Sequence, residues 1–420
     1  MEALRGLTVR GRSFLSAGIA CFVAATLVGQ DEVVRLGVFL VALPLLAAVV
    51  VARTRYRLTC VRTLVPHRTP VGHQAHVRLR LHNVSRLPTT VLLVEDGLSY
   101  SLGSRPRFVL DRVEAGGTRE VSYPVRSDVR GKFRVGPLSV RLGDPFGLCE
   151  LTRSFASVDE FVVTPVMTPL PTIGLGGEWA GGGDTQARQV ASAGEDDAST
   201  REYRYGDDLR KVHWKSTARM GELMVRREEQ PWQSRATLLL DNRLQGHYGE
   251  GPGSSFEWSV SASASIGVHL SRGGYKLRFV SADGADLHTP TAASAESMLL
   301  DHLAVIETTR SGSIQGAANK CTRGGGEGLI VAVLGTLNAD EALAIGRLRH
   351  NASACVAVLV DTASWTSLGP RARAETEAAL DSGAALLRQA GWRVLLARHG
   401  TTLSTLWPQA APGRSIGALR

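Results

Sequence analysis

Charged, aromatic and glycine residues crowd into one stretch, REYRYGDDLRKVHWKSTARMGELMVRREEQ at 201–230. Between Arg201 and Glu229 it holds eight basic and six acidic side chains. Several chemistries fit these residue types. Asp207 and His213 could form an acid–base pair, a carboxylate beside an imidazole that titrates near neutral pH. Lys211, Lys215 and Arg219 recur at helical spacing and could hold a phosphate. Arg201, Tyr203, Arg210, Trp214 and their neighbours could instead form an internal salt-bridge and stacking network, or a surface that docks a partner. Catalysis has the least support. No Ser, Cys or Thr stands in a GxSxG setting, and no GxxxxGK[ST] or GxGxxG sits at a strand–helix junction. A second position of interest is Asp241, which closes the apolar run ATLLLD (236–241) and is followed by Asn242 and Arg243.

Composition narrows the field. At 420 residues the chain implies two or three domains, and 44% hydrophobic with 21% charged residues excludes disorder for most of it. Five cysteines (Cys21, Cys60, Cys149, Cys321, Cys355) lie far apart, without a CxxC pair or a Cys/His cluster. That pattern argues against a disulfide framework and against zinc. The formal charge of +9 is not interleaved with aromatics, so no nucleic-acid partner is expected.

Four kinds of segment must position these residues. Two 17-residue uncharged runs, Ser13–Gly29 and Leu36–Ala52, predict a membrane hairpin within residues 1–55. Arg5, Arg10 and Arg12 precede it, and Arg53, Arg55, Arg57 and Arg62 follow. The positive-inside rule therefore puts both ends in the cytoplasm. From Arg53 to Val94 there are eight Arg and no acid, a basic rim suited to an anionic leaflet. Residues 56–168 alternate with period two in HVRLRLHNV (76–84), TTVLLVEDGL (89–98), TREVSYPVR (118–126) and LSVRLGD (138–144), which predicts a β-sandwich. Within it Gly131, Gly136 and Pro137 read as turn residues between two strands, and Asp144 to Gly147 as a tight turn with a buried aromatic. Residues 169–200 lack a hydrophobic period and read as a linker. After the 201–230 block, in which a helix is expected over Leu209–Met220, strands and helices alternate through 231–405. Apolar strands at 236–241, 275–281, 328–335, 354–361 and 392–398, with helices at 255–274, 294–309 and 371–391, predict a parallel sheet covered by helices. A tail is expected from 406 to 420.

The block R-E-Y-R-x-G-D-D-x-R-x-V-H-W-K-x-x-A-R-x-G-x-L-M-V-R resembles the signature of the DUF58 family, a bacterial group of unknown function. Arg201, Tyr203, Gly206, Asp207, Arg210, His213, Trp214, Lys215, Ala218 and Arg219 are among the residues that carry it. The upstream Arg130-Gly131, Gly136-Pro137 and Asp144-Pro145-Phe146-Gly147-Leu148 are similar to a second feature of that family. The resemblance implies a von Willebrand factor A-like, doubly wound C-terminal domain. It also implies association with MoxR-type AAA+ ATPases and transglutaminase-like membrane proteins. In the A-like superfamily the first strand ends in Asp-x-Ser-x-Ser, which holds a hard divalent cation. Here Asp241 is followed by Asn242, Arg243, Leu244 and Gln245, so both serines are replaced and a cation stands where a metal would. The expectation is a degenerate site with no metal and no cofactor, Asp241 pairing with Arg243 or capping a helix. The leading functional expectation is a plasma-membrane, cytoplasm-facing scaffold whose signature block docks a protein. The alternatives are a metal-dependent adhesion module and an enzyme using Asp207 and His213.

Overall fold

The first residues that the computed structural model describes already depart from coil. Description covers residues 6–53, 58–144, 146–174, 200–203, 212, 214–226, 235–288, 292–323 and 328–411. The chain divides into two units, Met1–Thr164 and Pro165–Arg420.

The first unit opens with two helices, α1 (Val9–Val28) and α2 (Asp31–Arg53), packed side by side. Thr8 caps α1 by accepting from the Gly11 N–H at 3.2 Å, and Gly29 ends it in the left-handed region at φ 70°. Gly18 and Gly37 set the crossing. A Cβ on Gly18 would lie 2.9 Å from the Gly37 carbonyl oxygen, so only glycine permits this approach. Among the described residues one helix, α2, is long and apolar enough to cross a membrane, over Asp31–Val49 with mean hydropathy 2.1. Pro44 is tolerated inside it.

A β-sandwich follows. Strands β1 (Leu58–Val65), β3 (Gln74–Asn83) and β6 (Thr118–Arg126) form one antiparallel sheet in the order β1-β3-β6. The second runs β2-β9-β7-β4-β5, built from β2 (Arg68–Pro70), β4 (Leu92–Leu98), β5 (Arg107–Leu110), β7 (Gly131–Gly143) and β9 (Asp159–Thr164). Strand β8 (Glu150–Phe155) also pairs with β7. Alternation does the sorting: Val77, Leu79 and Leu81 of β3 point inward to meet Leu92, Val94, Val140 and Phe161, while Arg78 and Arg80 face out. Residues 136–137 are not a turn between two strands. β7 runs straight through them, pairing with β9 over Gly131–Val135 and with β8 over Leu138–Gly143. Gly136, at φ 111°, kinks the strand where it changes partner.

The second unit has a hairpin of β10 (Thr200–Glu202) and β11 (Met224–Arg226) around a short helix α3 (Trp214–Met220). The expected helix over Leu209–Met220 is thus described from Trp214 on, and its earlier residues, Val212 apart, lie outside the described part. A six-stranded sheet follows in the order β14-β13-β12-β15-β16-β17. Its strands are β12 (Arg235–Leu240), β13 (Lys276–Ser281), β14 (Asp286–His288), β15 (Leu329–Leu334), β16 (Ala354–Val360) and β17 (Arg393–Ala397). All pairs are parallel except β13 with the edge strand β14. Helices α4 (Ser255–Arg272), α5 (Ala292–Val305) and α9 (Leu403–Leu406) line one face. On the other face lie α6 (Ile314–Arg323), α7 (Ala339–Gly346) and α8 (Pro370–Gln389). Continuous apolar strands are needed because both faces are covered: Leu238 and Leu240 enter one core, Leu239 the other. Residues 406–411 are not a tail here, since Trp407 is fully buried against α4 and Ala410 beside it. Leu170 and Ile173, expected in a linker, pack on the same core.

Candidate functional site: the signature module and the Asp241 crevice

Strand pairing builds the signature module. Arg201 sits opposite Val225 and Glu202 opposite Met224, and the Tyr203 N–H donates to the Leu223 carbonyl at 2.8 Å. Val212 bridges to Val225, anchoring the approach to α3. The Thr217 hydroxyl accepts from the Met224 N–H at 3.0 Å, and the Gly221 N–H closes the helix on the Thr217 carbonyl at 2.9 Å. Val212, Met224 and Val225 are buried, so the frame has a small apolar centre.

What that frame displays is apolar and charged, Glu202 and Glu222 being exposed as well. Trp214 is 68% exposed, Met220 68% and Leu223 41%. Lys215, Ala218 and Arg219 are exposed beside them. Tyr203 is half-buried. Gly206, Asp207, Arg210, Lys211 and His213 lie outside the described residues, so the Asp207–His213 pair and the Lys211 part of a phosphate site have no geometry to report. A tryptophan in an internal stacking network would be covered. Trp214 is not, which favours display over a locking role.

Asp241 lies at the other place of interest, where β12 ends next to β15. Strand order reverses between these two strands, one leading to β13 and the other to β16, and such switch points leave a crevice at the carboxyl ends. Asp241, Asn242 and Arg243 are all buried here, at 0%, 0% and 2% exposure. The Arg243 guanidinium grips Asp241 bidentately: Nε donates to Oδ1 at 2.9 Å and Nη2 to Oδ2 at 2.9 Å. Its Nη1 donates to Glu341 Oε1 and its Nη2 to the Thr336 carbonyl at 3.3 Å. Asp241 also accepts from the Arg243 N–H at 3.0 Å and the Gly335 N–H at 3.3 Å. Glu341 is fixed in turn by the α7 capping box, its Oε2 accepting from the Asn338 N–H at 3.0 Å. Burial works to lower the Arg243 pKa, but its hydrogen bonds and charge contacts with Asp241 and Glu341 outweigh it and the net shift is upward.

Neighbours complete the shell. His247 Nε2 meets the Asp241 carbonyl at 2.8 Å and its Nδ1 meets the Ser255 hydroxyl at 3.3 Å. Burial pushes the His247 imidazole below its ordinary value, so it stays neutral. The Asn242 amide donates to the Glu307 carbonyl at 3.0 Å and its oxygen accepts from the Asp283 N–H at 3.1 Å. At the end of β16, Thr362 shares a 2.7 Å hydrogen bond with Thr336, and Ser364 donates to the Asp361 carbonyl at 2.7 Å. Both hydroxyls are thus used internally.

This donor set does not fit a divalent cation. A metal needs Asp241 oxygens, and both are held by Arg243. Among the described residues no group of three or more His, Cys, Asp or Glu converges on a common point. The pairing of Asp241 with Arg243 agrees with the sequence. Glu341, from a helix almost a hundred residues downstream, was not foreseen; its signal was the Asn338–Glu341 capping box at the head of α7.

A family comparison bears on the whole module. Residues 199–360 match the family model DUF58, Protein of unknown function DUF58. Over that stretch the chain is similar to DUF58. The matched DUF58 segment runs from β10 to the end of β16 and so contains both the signature module and the Arg243 crevice. No curated protein matches the chain in sequence. Among solved structures, the chain is similar to a protein of Bordetella pertussis assigned as ApaA, at 12% identity, covering 26% of this chain and 94% of that one, with TM-score 0.20. It is likewise similar to the CARDB domain of the PF1109 protein of Pyrococcus furiosus, at 15% identity, 26% and 91% coverage and TM-score 0.19. At such scores neither likeness carries an argument about fold or activity.

Proposed function

We propose that this chain is a membrane-anchored scaffold, facing the cytoplasm, that docks a protein partner through the signature module. The observation that carries the proposal is Trp214. It is 68% exposed on α3, while the described strands beside it, β10 and β11, pair with each other. A large aromatic displayed beside Lys215 and Arg219 has the composition of an interface anchor. Following the DUF58 resemblance, the partner is a MoxR-type AAA+ ATPase. The setting is assembly of an envelope or membrane complex, with a transglutaminase-like membrane protein as a further component.

The hairpin is the anchor in this proposal. Support for a second pass comes from α1, which packs along α2 and leaves Ile19, Phe22, Val23 and Leu27 exposed. Arg10 and Arg12 on one side, and the eight Arg from Arg53 to Val94 on the other, support cytoplasmic ends. The sheet order with one antiparallel edge strand supports a von Willebrand A-like reading of the second unit, with Arg243 standing in for its metal. The metal-dependent adhesion alternative lacks its ligand set for that reason.

The test is capture from crosslinked membranes by tagged full-length protein, compared with Trp214→Ala. The proposal expects an AAA+ ATPase with the parent and its loss with the variant, at unchanged melting temperature. Equal capture by a folded Trp214→Ala chain removes the docking role of this face.

A further inference from the structure

The Asp144–Leu148 turn has no part in the function proposed above, and the structure puts it in an unusual place. Asp144 is buried, its carboxylate accepting from the Phe146 N–H at 2.9 Å and the Cys149 N–H at 2.5 Å. The turn so fixed is bonded to the start of α1. Thr8 donates its hydroxyl to the Gly147 carbonyl at 2.6 Å and its N–H to the Leu148 carbonyl at 3.0 Å, and the Glu150 N–H reaches the Gly6 carbonyl at 2.7 Å. A Cβ on Gly11 would lie 2.2 Å from the Leu148 carbonyl oxygen, so the helix touches the turn directly. Leu148 and Cys149 are buried with Ala47 and Ala48 of α2, against Phe14 of α1.

Depth follows from these contacts. The turn lies along Thr8 to Phe14, about 9 Å of helix. On α2 it meets Ala47 and Ala48, which fall at the end of the apolar stretch Asp31–Val49. It therefore stands at the level where that stretch leaves hydrocarbon. At this level Phe146 is 64% exposed, and the exposed Arg10 reaches the adjoining Gly147. An exposed phenyl ring held at the mouth of a spanning helix is placed where apolar side chains enter the headgroup–acyl boundary.

We infer that Phe146 is a membrane-interface anchor: its ring sits among phospholipid headgroups and acyl ends, and the turn thereby fixes the sandwich against the leaflet from which α1 emerges. The inference rests on the hairpin spanning the bilayer, and the test separates the two. Full-length protein carrying a photoreactive phenylalanine analogue at position 146, or at Phe39 on the exposed face of α2, is placed in phosphatidylglycerol–phosphatidylcholine vesicles and irradiated. Lipid adducts at both positions are the expected result. Adducts at position 39 with none at 146 overturn the inference and leave the hairpin standing. Loss of adducts at both overturns the anchor and the spanning hairpin together. A protein–protein adduct at 146 in place of lipid also overturns the inference, since it would make the turn a contact between copies of the chain.

Discussion

Two buried guanidiniums, one in each unit, meet their carboxylates in almost the same way and do different work. In the sandwich, Arg62 of β1 reaches the opposite sheet. Its Nη2 donates to Asp96 Oδ1 at 2.6 Å, its Nε to Asp96 Oδ2 at 3.1 Å, and its Nη1 to Asp159 Oδ2 at 2.8 Å. The Tyr123 hydroxyl adds a 2.6 Å bond to Asp96. This cluster ties β1 and β6 to β4 and β9, so its partners come from two sheets. Burial and the bond to Asp96 push the Tyr123 hydroxyl pKa upward, and burial pushes the Cys60 thiol up to about 11, leaving both groups unreactive. In the second unit Arg243 grips a carboxylate only two residues away, at the end of one strand, and spends its remaining donors on Glu341 and Thr336. One arginine clamps two layers. The other fills a crevice that the sheet topology creates.

The largest expected effect separates the two. Asp96→Ala removes the acceptor of the Tyr123 hydroxyl and leaves Arg62 with Asp159 and the Ser157 carbonyl, and breaking such a buried pair costs up to about 3–5 kcal/mol. The melting transition of the full chain in detergent should fall steeply; a shift no larger than that of a surface variant would remove the clamp. Arg243→Ser should cost less, on the order of 1–3 kcal/mol, because Asp241 keeps the Arg243 and Gly335 N–H donors. It also frees both Asp241 oxygens beside a new hydroxyl. Millimolar Mg²⁺ should raise the melting temperature of Arg243→Ser and leave the parent and Asp96→Ala unmoved. A parent that responds to Mg²⁺ would contradict the view that Arg243 fills the site.

A pH series sharpens the contrast. Burial holds His247 below its ordinary value of 6.5. The unfolded chain therefore binds the extra proton first. Stability of the second unit should be full above about pH 6.5 and fall as pH drops below it, by at most about 1.4 kcal/mol per pH unit for one proton. His247→Asn should flatten part of that slope in acid-side thermal melts. His269 and His302, also lowered by burial, supply the remainder. The smallest effect belongs to Trp214→Ala, which touches no core and should change stability by no more than about 0.5 kcal/mol. A loss of several kcal/mol would return Trp214 to a structural role.

Much of the frame was legible in the sequence because it depends on local period. The run 118–126 is β6 to the residue, and 76–84 differs from β3 by two residues at its start and one at its end. The strand expected at 354–361 overshoots β16 by one residue at its end. Gly136-Pro137 misled because turn chemistry was read locally, whereas β7 is held on both sides by neighbours that only the fold brings together. Phe146 was expected inside the DPFG turn. The buried place goes to Leu148 two residues on, which packs under α1, and no local signal announces that contact. β14, three residues long, is too short for a period to emerge; α6 has one, Ile314, Ala317, Ala318 and Cys321 being its buried face, but three of the four are small and the signal was missed. At the sites, Asp241 with Arg243 could be read from adjacency. Asp96, Asp159 and Glu341 could not, because their partners lie 34, 97 and 98 residues away in the chain. The sequence left Trp214 open between network and display, and in the structure its side chain is exposed.

The central claim is that α3 displays Trp214 to a protein partner at the membrane. The most direct measurement puts a photoreactive phenylalanine analogue at position 214 of the full-length chain and irradiates intact cells. An adduct with an AAA+ ATPase, absent when the analogue sits at the exposed Leu343 of α7, is the predicted result. Adducts confined to the chain itself, or none at all, would contradict the account.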